Sequence, residues 1–184
     1  KTAYEIMPSL VGSEMCIRDS CSGIMLAWAF SGPVFGLFSE KVGLRRLPYL
    51  VGTGLATGCW SVVILIPDLP QGVLVGLLLG AGFFSGGMIL GFTQAKESVP
   101  MALAGTVSGV VNMGVMCGPM LLQPMIGWLL DRSWSGNVGV EGIRIYSFDG
   151  YRFGFSLMLV WLAIAIFSIA LSRETHAQQH LDQN

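Results

Sequence analysis

The sequence predicts an all-α membrane protein with five transmembrane helices. Only 11% of its 184 residues are charged, less than half of the ~25% typical of soluble domains, and 53% are hydrophobic. Between the charged residues lie five uninterrupted runs, at 20–39, 47–67, 69–95, 98–130 and 153–172. Each run reaches the roughly 20 residues that a helix needs to cross about 30 Å of hydrocarbon. None of them alternates apolar and polar residues as the strands of a transmembrane barrel do.

Each predicted span ends where the sequence changes character. The first ends at a charged loop, the second at a Pro-bounded turn and the third at a charged segment before a Pro. The fourth ends at a long loop rich in Gly, Ser and Asn, which includes an alternating, strand-like stretch at 143–148. The fifth ends at a polar tail, residues 177–184. We therefore place the spans at residues 21–39, 47–67, 70–95, 101–130 and 153–172.

The distribution of basic residues predicts an orientation. Because successive helices alternate in direction, the first and third loops and the tail share one side of the membrane. That side carries five basic residues close to helix ends, and the other side carries three, all in the long loop. The positive-inside rule therefore places the tail in the cytoplasm. The five residues are Lys41, Arg45, Arg46, Lys96 and Arg173.

The first twenty residues differ from the rest of the chain. They hold three acidic and two basic residues without apolar periodicity, and they lack the regions of a signal peptide. Residues 9–20 resemble the translation of a transposase sequencing adaptor, so we expect 1–20 to be artefactual and the protein proper to begin near Cys21. The alternative is an ordinary amphipathic segment beside the membrane. The codons of residues 10–19 in the parent DNA distinguish the two.

The charged loop after the first span has a recognisable pattern. Gly36 permits close helix approach and Gly43 a tight turn. Glu40 can form a charge cluster with the basic residues around it, or face the N-terminus of a neighbouring helix, where the helix dipole favours a carboxylate. The alternative is a plain charged loop that obeys the positive-inside rule. The candidate gating motif comprises Gly36, Glu40, Lys41, Gly43, Arg45 and Arg46.

This loop resembles a signature of the major facilitator superfamily, Gly-x-Leu-Ala-Asp-Arg/Lys-x-Gly-Arg-Arg/Lys. Glu40 stands for the Asp and Leu44 for the first Arg, a departure that suits the looser second copy of the signature, between helices eight and nine. Residues 105–131 contain G-x-x-x-G-x-x-N and Q-P-x-x-G-W-L-L-D elements and are similar to helix eleven of bacterial members. Residues 151–176 are similar to helix twelve and its exit.

The resemblance covers residues 21–176 and implies most of the C-terminal six-helix bundle of a twelve-helix transporter. The chain then corresponds to helices eight to twelve, and helix seven and the whole amino-terminal bundle are missing. The resemblance also implies a location in a bacterial inner (plasma) membrane. In the resembling fold, helices eight, ten and eleven line a central cavity.

Polar residues within the spans are the candidate substrate-binding residues, because they are costly in hydrocarbon unless they face a cavity or a partner. Ser108, Asn112 and Gln123 fall on one stripe of the fourth span. Pro119 and Pro124 are expected to bend or interrupt that helix and to free backbone carbonyls. Alternatively, Asn112 and Gln123 only hydrogen-bond adjacent helices. The cavity implied by the resemblance adds Trp28, Ser31, Phe84 and Ser85.

Glycine spacing predicts close helix packing independently of the resemblance. Several pairs of glycines stand four residues apart, the small-xxx-small pattern of helices in contact. Among them are Gly32/Gly36, Gly54/Gly58, Gly82/Gly86, Gly87/Gly91, Gly105/Gly109 and Gly114/Gly118.

Composition and motifs argue against other classes of protein. The net charge of −1 disfavours nucleic acid as a partner, and four cysteines without C-x-x-C spacing support neither a zinc site nor a disulfide framework. The sequence contains no catalytic or phosphate-binding motif. We therefore expect no enzyme activity, no cofactor and no metal. No acidic or basic residue lies inside a span, so any coupling carboxylate would belong to the missing part.

These observations predict a secondary active transporter of a small polar solute that works by alternating access. The expected partners are the lipid bilayer, the solute with any coupling ion, and the missing N-terminal bundle. We expect the fragment alone not to transport. A non-transporting membrane scaffold or receptor-like subunit and an intramembrane enzyme remain as alternatives.

Overall fold

The structure, a computed structural model, describes residues 3–138 and 144–176, with side chains from residue 20 onward. Within these ranges, the strand-like content is one isolated antiparallel bridge between Val138 and Arg144. Two short 3₁₀ turns lie at Gly86–Met88 and Met101–Leu103. The helices are α1 (Ala3–Val42), α2 (Arg46–Leu65), α3 (Gln71–Ser85), α4 (Ile89–Glu97), α5 (Ala104–Arg132) and α6 (Phe148–Leu171).

Five segments of the described chain are long and apolar enough to cross a membrane. They confirm the predicted all-α, five-span fold. The largest difference in bounds is at α6, which begins at Phe148 instead of residue 153. The reason is a helix cap: the hydroxyl of Ser147 accepts a hydrogen bond from the backbone N–H of Gly150 at 3.2 Å, which starts the helix early. The segments are Ser20–Val42, Arg46–Leu65, Gln71–Glu97, Met101–Arg132 and Phe148–Leu171.

Helix α1 extends well beyond the first predicted span. It begins at Ala3 and runs without a break to Val42, so its backbone continues through the residues that we expect to be artefactual. The apolar part of the helix begins at Ser20. The foreign origin of residues 1–20 stays a prediction.

Two spans differ from expectation in their continuity. The third span, predicted as one helix, is divided by the 3₁₀ turn Gly86–Met88, which separates α3 from α4. Helix α5, by contrast, continues through Pro119 and Pro124, so the predicted interruption is not seen. Each proline removes only one backbone donor, and the remaining hydrogen bonds on both sides keep the helix together.

The third span lies at the centre of the packing, with α1 and α2 against α3 and with α5 against α4. Its glycines make this possible: a Cβ on Gly82 would lie 2.9 Å from Ile24, and one on Gly91 would lie 3.3 Å from the Tyr49 ring. The predicted close helix packing at glycines four residues apart is therefore observed in this span. For most of the other paired glycines, an added Cβ would meet no described atom within 4 Å: Gly32, Gly36, Gly54, Gly58, Gly105, Gly109 and Gly114.

Many large apolar side chains are exposed and do not pack in the protein interior. Helix α5 shows this most clearly, since none of its residues is buried and its Met113 and Met120 are 72% and 75% exposed. Such a surface is stable in lipid or against other membrane helices, where apolar groups need no cover from water.

The loop after α5 folds back onto the end of that helix. Asp131 accepts hydrogen bonds from the guanidinium of Arg144 at 2.7 Å and from the hydroxyl of Tyr146 at 2.6 Å. The same guanidinium lies 4.8 Å from the centroid of the Trp134 ring. Because the hydroxyl of Tyr146 donates to a carboxylate, the pKa of Tyr146 is raised above its ordinary value.

Candidate functional site

A groove of about 660 Å³ opens between α1, α5 and the junction of α3 with α4. These elements are the first, fourth and third spans, the three that the sequence analysis assigned to a central cavity. Asn112 lies eight residues after the start of the 29-residue α5, so the groove reaches the first half of this helix. Its larger lining side chains are Trp28, Pro33, Met88, Phe92, Asn112 and Met116.

Two of the predicted substrate-binding residues, Trp28 and Asn112, line the groove together. Neither the indole N–H of Trp28 nor the side-chain amide of Asn112 has a hydrogen-bond partner among the described residues. A polar group without a partner is costly in hydrocarbon. Both groups are therefore available to a molecule that enters the groove.

The other five predicted residues lie outside the lining of the groove. Three serines satisfy their hydroxyls within their own helices, by donating to carbonyl oxygens three or four residues earlier at 2.6 to 2.7 Å. Phe84 packs edge-on against Phe83, with ring centroids 5.6 Å apart. Gln123 is exposed near the other end of α5. The three serines are Ser31, which is buried, Ser85 and Ser108.

The apolar lining could not be predicted in the same way as its polar residues. A polar residue stands out in an apolar span, whereas Met88, Phe92 and Met116 are typical of any lipid-facing helix. The available signal was helical spacing, because Met88 and Phe92 stand four residues apart and so share one face.

A second arrangement, the polar cluster, joins the loop after α1 to the ends of α4 and α6. We define it as Ser39, Arg45, Glu97, Glu174 and Thr175. The Nε and one terminal nitrogen of Arg45 donate to one oxygen of Glu97 at 3.0 and 2.8 Å, and the second terminal nitrogen donates to Ser39 Oγ at 3.1 Å. The other oxygen of Glu97 accepts from Thr175 Oγ1 at 2.5 Å. The side chains of Arg45 and Glu97 are only 8% and 12% exposed.

Glu174 completes the polar cluster by capping α2. Its carboxylate accepts hydrogen bonds from the backbone N–H groups of Arg45, at 2.6 Å, and Arg46, at 2.9 Å. These donors have no partner within the helix, and the helix dipole favours a negative charge there. The side chain of Arg46 donates to the carbonyl of Ala170 in α6. The segment after α6 is thus tied to the start of α2.

The polar cluster differs from the predicted gating motif in its acidic members. Glu40 was expected to supply the carboxylate, but Glu40 and Lys41 are exposed, and the ion pair of Arg45 is with Glu97. Glu40 follows the buried Ser39 by one residue, which turns its side chain about 100° around the helix and away from the cluster. Gly43 ends α1 at a φ of 69°, as a tight turn requires.

The surroundings of Glu174 hold its pKa below the ordinary value of a glutamate. Partial burial acts to raise the pKa, but hydrogen bonds from four backbone N–H groups outweigh it, because they stabilise the charged form. The four donors belong to Arg45, Arg46, Thr175 and His176.

We expect Glu174→Gln to lower the free energy of unfolding at neutral pH by about 1 kcal/mol, the usual worth of a helix cap. Because the pKa is depressed in the folded state, this stabilisation is present above the unfolded pKa of about 4.3 and is lost as the pH falls through the folded pKa. Unfolding in detergent between pH 7 and pH 3 measures it. The difference in the free energy of unfolding between the unmodified chain and Glu174→Gln should disappear across the acidic part of that range. A difference that stays constant with pH contradicts the charged cap.

Long apolar helices around a groove with unpaired polar groups are typical of membrane transport proteins. The family model for the Major Facilitator Superfamily matches residues 6–183. The chain belongs to this superfamily, which is a family of transporters. The match begins inside the segment that we expect to be artefactual. Comparisons with curated proteins and with solved structures gave no match.

Proposed function

We propose that the chain is part of a secondary active transporter that moves a small polar solute by alternating access. The observation that carries this proposal is the groove between membrane-spanning helices, whose lining includes the polar groups of Trp28 and Asn112, both without a hydrogen-bond partner among the described residues. A volume of about 660 Å³ lies within the ~300–1,000 Å³ of small-molecule sites. The described part of the chain buries no residue of α5, so a second bundle of the same protein could cover this helix and the groove.

The polar cluster is proposed as one cytoplasmic gate of this transporter. It joins four helices at the side that the positive-inside rule assigns to the cytoplasm of a bacterial cell. A buried ion pair with defined partners favours one arrangement of the helices over others. The predicted motif residues Glu40 and Lys41 lie beside it on the exposed surface. Any coupling to an ion is assigned to residues outside this chain, and no enzyme activity is proposed.

We expect Asn112→Ala to lower transport about tenfold, because the solute loses a hydrogen bond inside a groove that offers few others. The assay uses proteoliposomes that contain the complete gene product and a defined mixture of small metabolites, with accumulation measured by mass spectrometry against protein-free vesicles. Gln123→Ala is the matched control, since it removes an amide from the same helix outside the groove. The chain alone, residues 21–184, should show no saturable uptake.

Two results contradict the proposal. If the complete gene product accumulates nothing above protein-free vesicles, the protein acts as a membrane scaffold. If Asn112→Ala and Gln123→Ala have equal effects, the groove is not the path of the solute.

A further inference from the structure

The groove is more apolar than a general polar solute requires. Among the described residues that line it, none has an ionisable side chain, and the strong side-chain hydrogen-bonding groups are the amide of Asn112 and the indole N–H of Trp28. The rest of the wall consists of aliphatic, thioether and aromatic side chains and of glycines. A charged solute would find no counter-charge on this wall, and a solute with many hydroxyl groups would leave most of them unpaired.

The lining of the groove combines small residues with aromatic rings. Ala29, Gly32 and Gly86 contribute no large side chain. The Trp28 ring and the Phe92 ring also line the groove, and aromatic rings favour stacked or edge-on contacts with other rings. The two unpaired polar groups complement this wall, because an indole N–H donates and an amide both donates and accepts.

We propose that the solute presents an uncharged, aromatic or similarly flat apolar part to these helices, with one hydrogen-bond acceptor such as a carbonyl between Trp28 and Asn112. This inference rests on the proposed function and narrows the class of solute. The part of the solute that contacts these helices is apolar, except for the one polar group that Trp28 and Asn112 bind. Sugars and small organic acids fit the wall poorly.

Gly32 provides a variant that places a side chain in the groove at a position with room for its Cβ. A Cβ on Gly32 would meet no described atom within 4 Å, although Gly32 lines the groove. Gly36, one turn further along α1, has the same free space but does not line the groove. Gly32→Leu and Gly36→Leu are therefore a matched pair that separates occupation of the groove from any general effect of leucine in α1.

Benzophenone tests the proposal directly, because it is an uncharged aromatic ketone that inserts into nearby C–H bonds when irradiated. The chain is held in lipid nanodiscs, irradiated with benzophenone and digested, and the labelled residues are identified by tandem mass spectrometry. Met88 and Met116 line the groove, and Met113 and Met120 are exposed residues of α5 outside it. Met113 and Met120, the lipid-facing pair, therefore measure the background labelling by benzophenone that is dissolved in the membrane.

We expect saturable labelling of the groove methionines above the level of the lipid-facing pair. Gly32→Leu should abolish the saturable part and Gly36→Leu should preserve it. Asn112→Leu should weaken it by about threefold to tenfold, the effect of one neutral hydrogen bond. Two further probes carry the same rings with a carboxylate, 4-benzoylbenzoate, or with a sugar, the glucoside of 4-hydroxybenzophenone, and both should label the groove more weakly.

The possible failures have different meanings. If either the carboxylate or the glucoside labels the groove methionines more tightly than benzophenone, the inferred solute class is wrong while the groove and the transport function stand. If none of the three probes gives saturable labelling, the inference is also wrong, and the transport assay with the complete gene product decides the proposed function independently.

Discussion

Arg45→Gln should lower the free energy of unfolding by about 3–5 kcal/mol, the usual effect of breaking a buried ion pair. The loss is large because the carboxylate of Glu97 would keep its position, only 12% exposed, without the guanidinium that balances its charge. Ser39 would lose a hydrogen bond at the same time. Unfolding of the purified chain by SDS in mixed micelles, followed by circular dichroism, gives the difference in free energy.

Lys41→Gln is the control for Arg45→Gln. It removes one positive charge from the last turn of α1, four residues before Arg45, but Lys41 is exposed, so we expect a change of less than ~0.5 kcal/mol. The double variant Arg45→Met with Glu97→Met should recover much of the loss, because it removes both charges together. Equal effects of Arg45→Gln and Lys41→Gln would show that the ion pair does not stabilise the fold.

Gly86→Ala should destabilise the bundle by about 1–3 kcal/mol, the range for overpacking a core position. The added Cβ would overlap with the hydroxyl of Ser31 and lie 2.7 Å from Ser31 Cβ and 3.2 Å from the backbone oxygen of Trp28. Turning the serine side chain relieves only the first of these contacts, so α1 has to move away from the third span. The same unfolding assay measures the loss.

Gly54→Ala is the matched control for Gly86→Ala. A Cβ on Gly54 would meet no described atom within 4 Å, and alanine is the better helix former by up to about 1 kcal/mol, so this change should be neutral or stabilising. Combining Gly86→Ala with Ser31→Gly should restore part of the loss, since it removes both the hydroxyl and the Cβ that clash. If Gly86→Ala proves as stable as Gly54→Ala, the close approach of α1 to the third span is wrong.

The number and order of the spans follow from the sequence because a bilayer imposes one strong requirement. Runs without charge and of sufficient length have to cross it as helices, so even the fourth span, with its two prolines, is correctly placed. The 3₁₀ turn at Gly86–Met88 could not be found in this way. It depends on how closely α1 approaches, and hydropathy carries no information on that distance.

The candidate site was predictable only in its polar part. Trp28 and Asn112 stand out as polar or amphipathic groups in apolar helices, whereas Met88 and Phe92 do not. In the polar cluster, the sequence predicts the basic residue Arg45 but not its acidic partners. Glu97 is 52 positions from Arg45, and Glu174 is 129 positions from it. No local spacing rule links residues so far apart, and the nearer Glu40 was the natural but incorrect choice of partner.

The cap that Glu174 places on α2 also has a consequence for how the protein is made. Arg45 leaves the ribosome 129 residues before the carboxylate that binds its backbone N–H. At roughly 5–20 residues per second, that delay is on the order of ten seconds. During this time four spans can enter the membrane, while the first backbone N–H groups of α2 lack the carboxylate that binds them. The polar cluster is therefore complete only after the last span and the residues just after it have been translated. A truncated chain that ends before Glu174 would expose the uncapped N-terminus of α2 to membrane proteases.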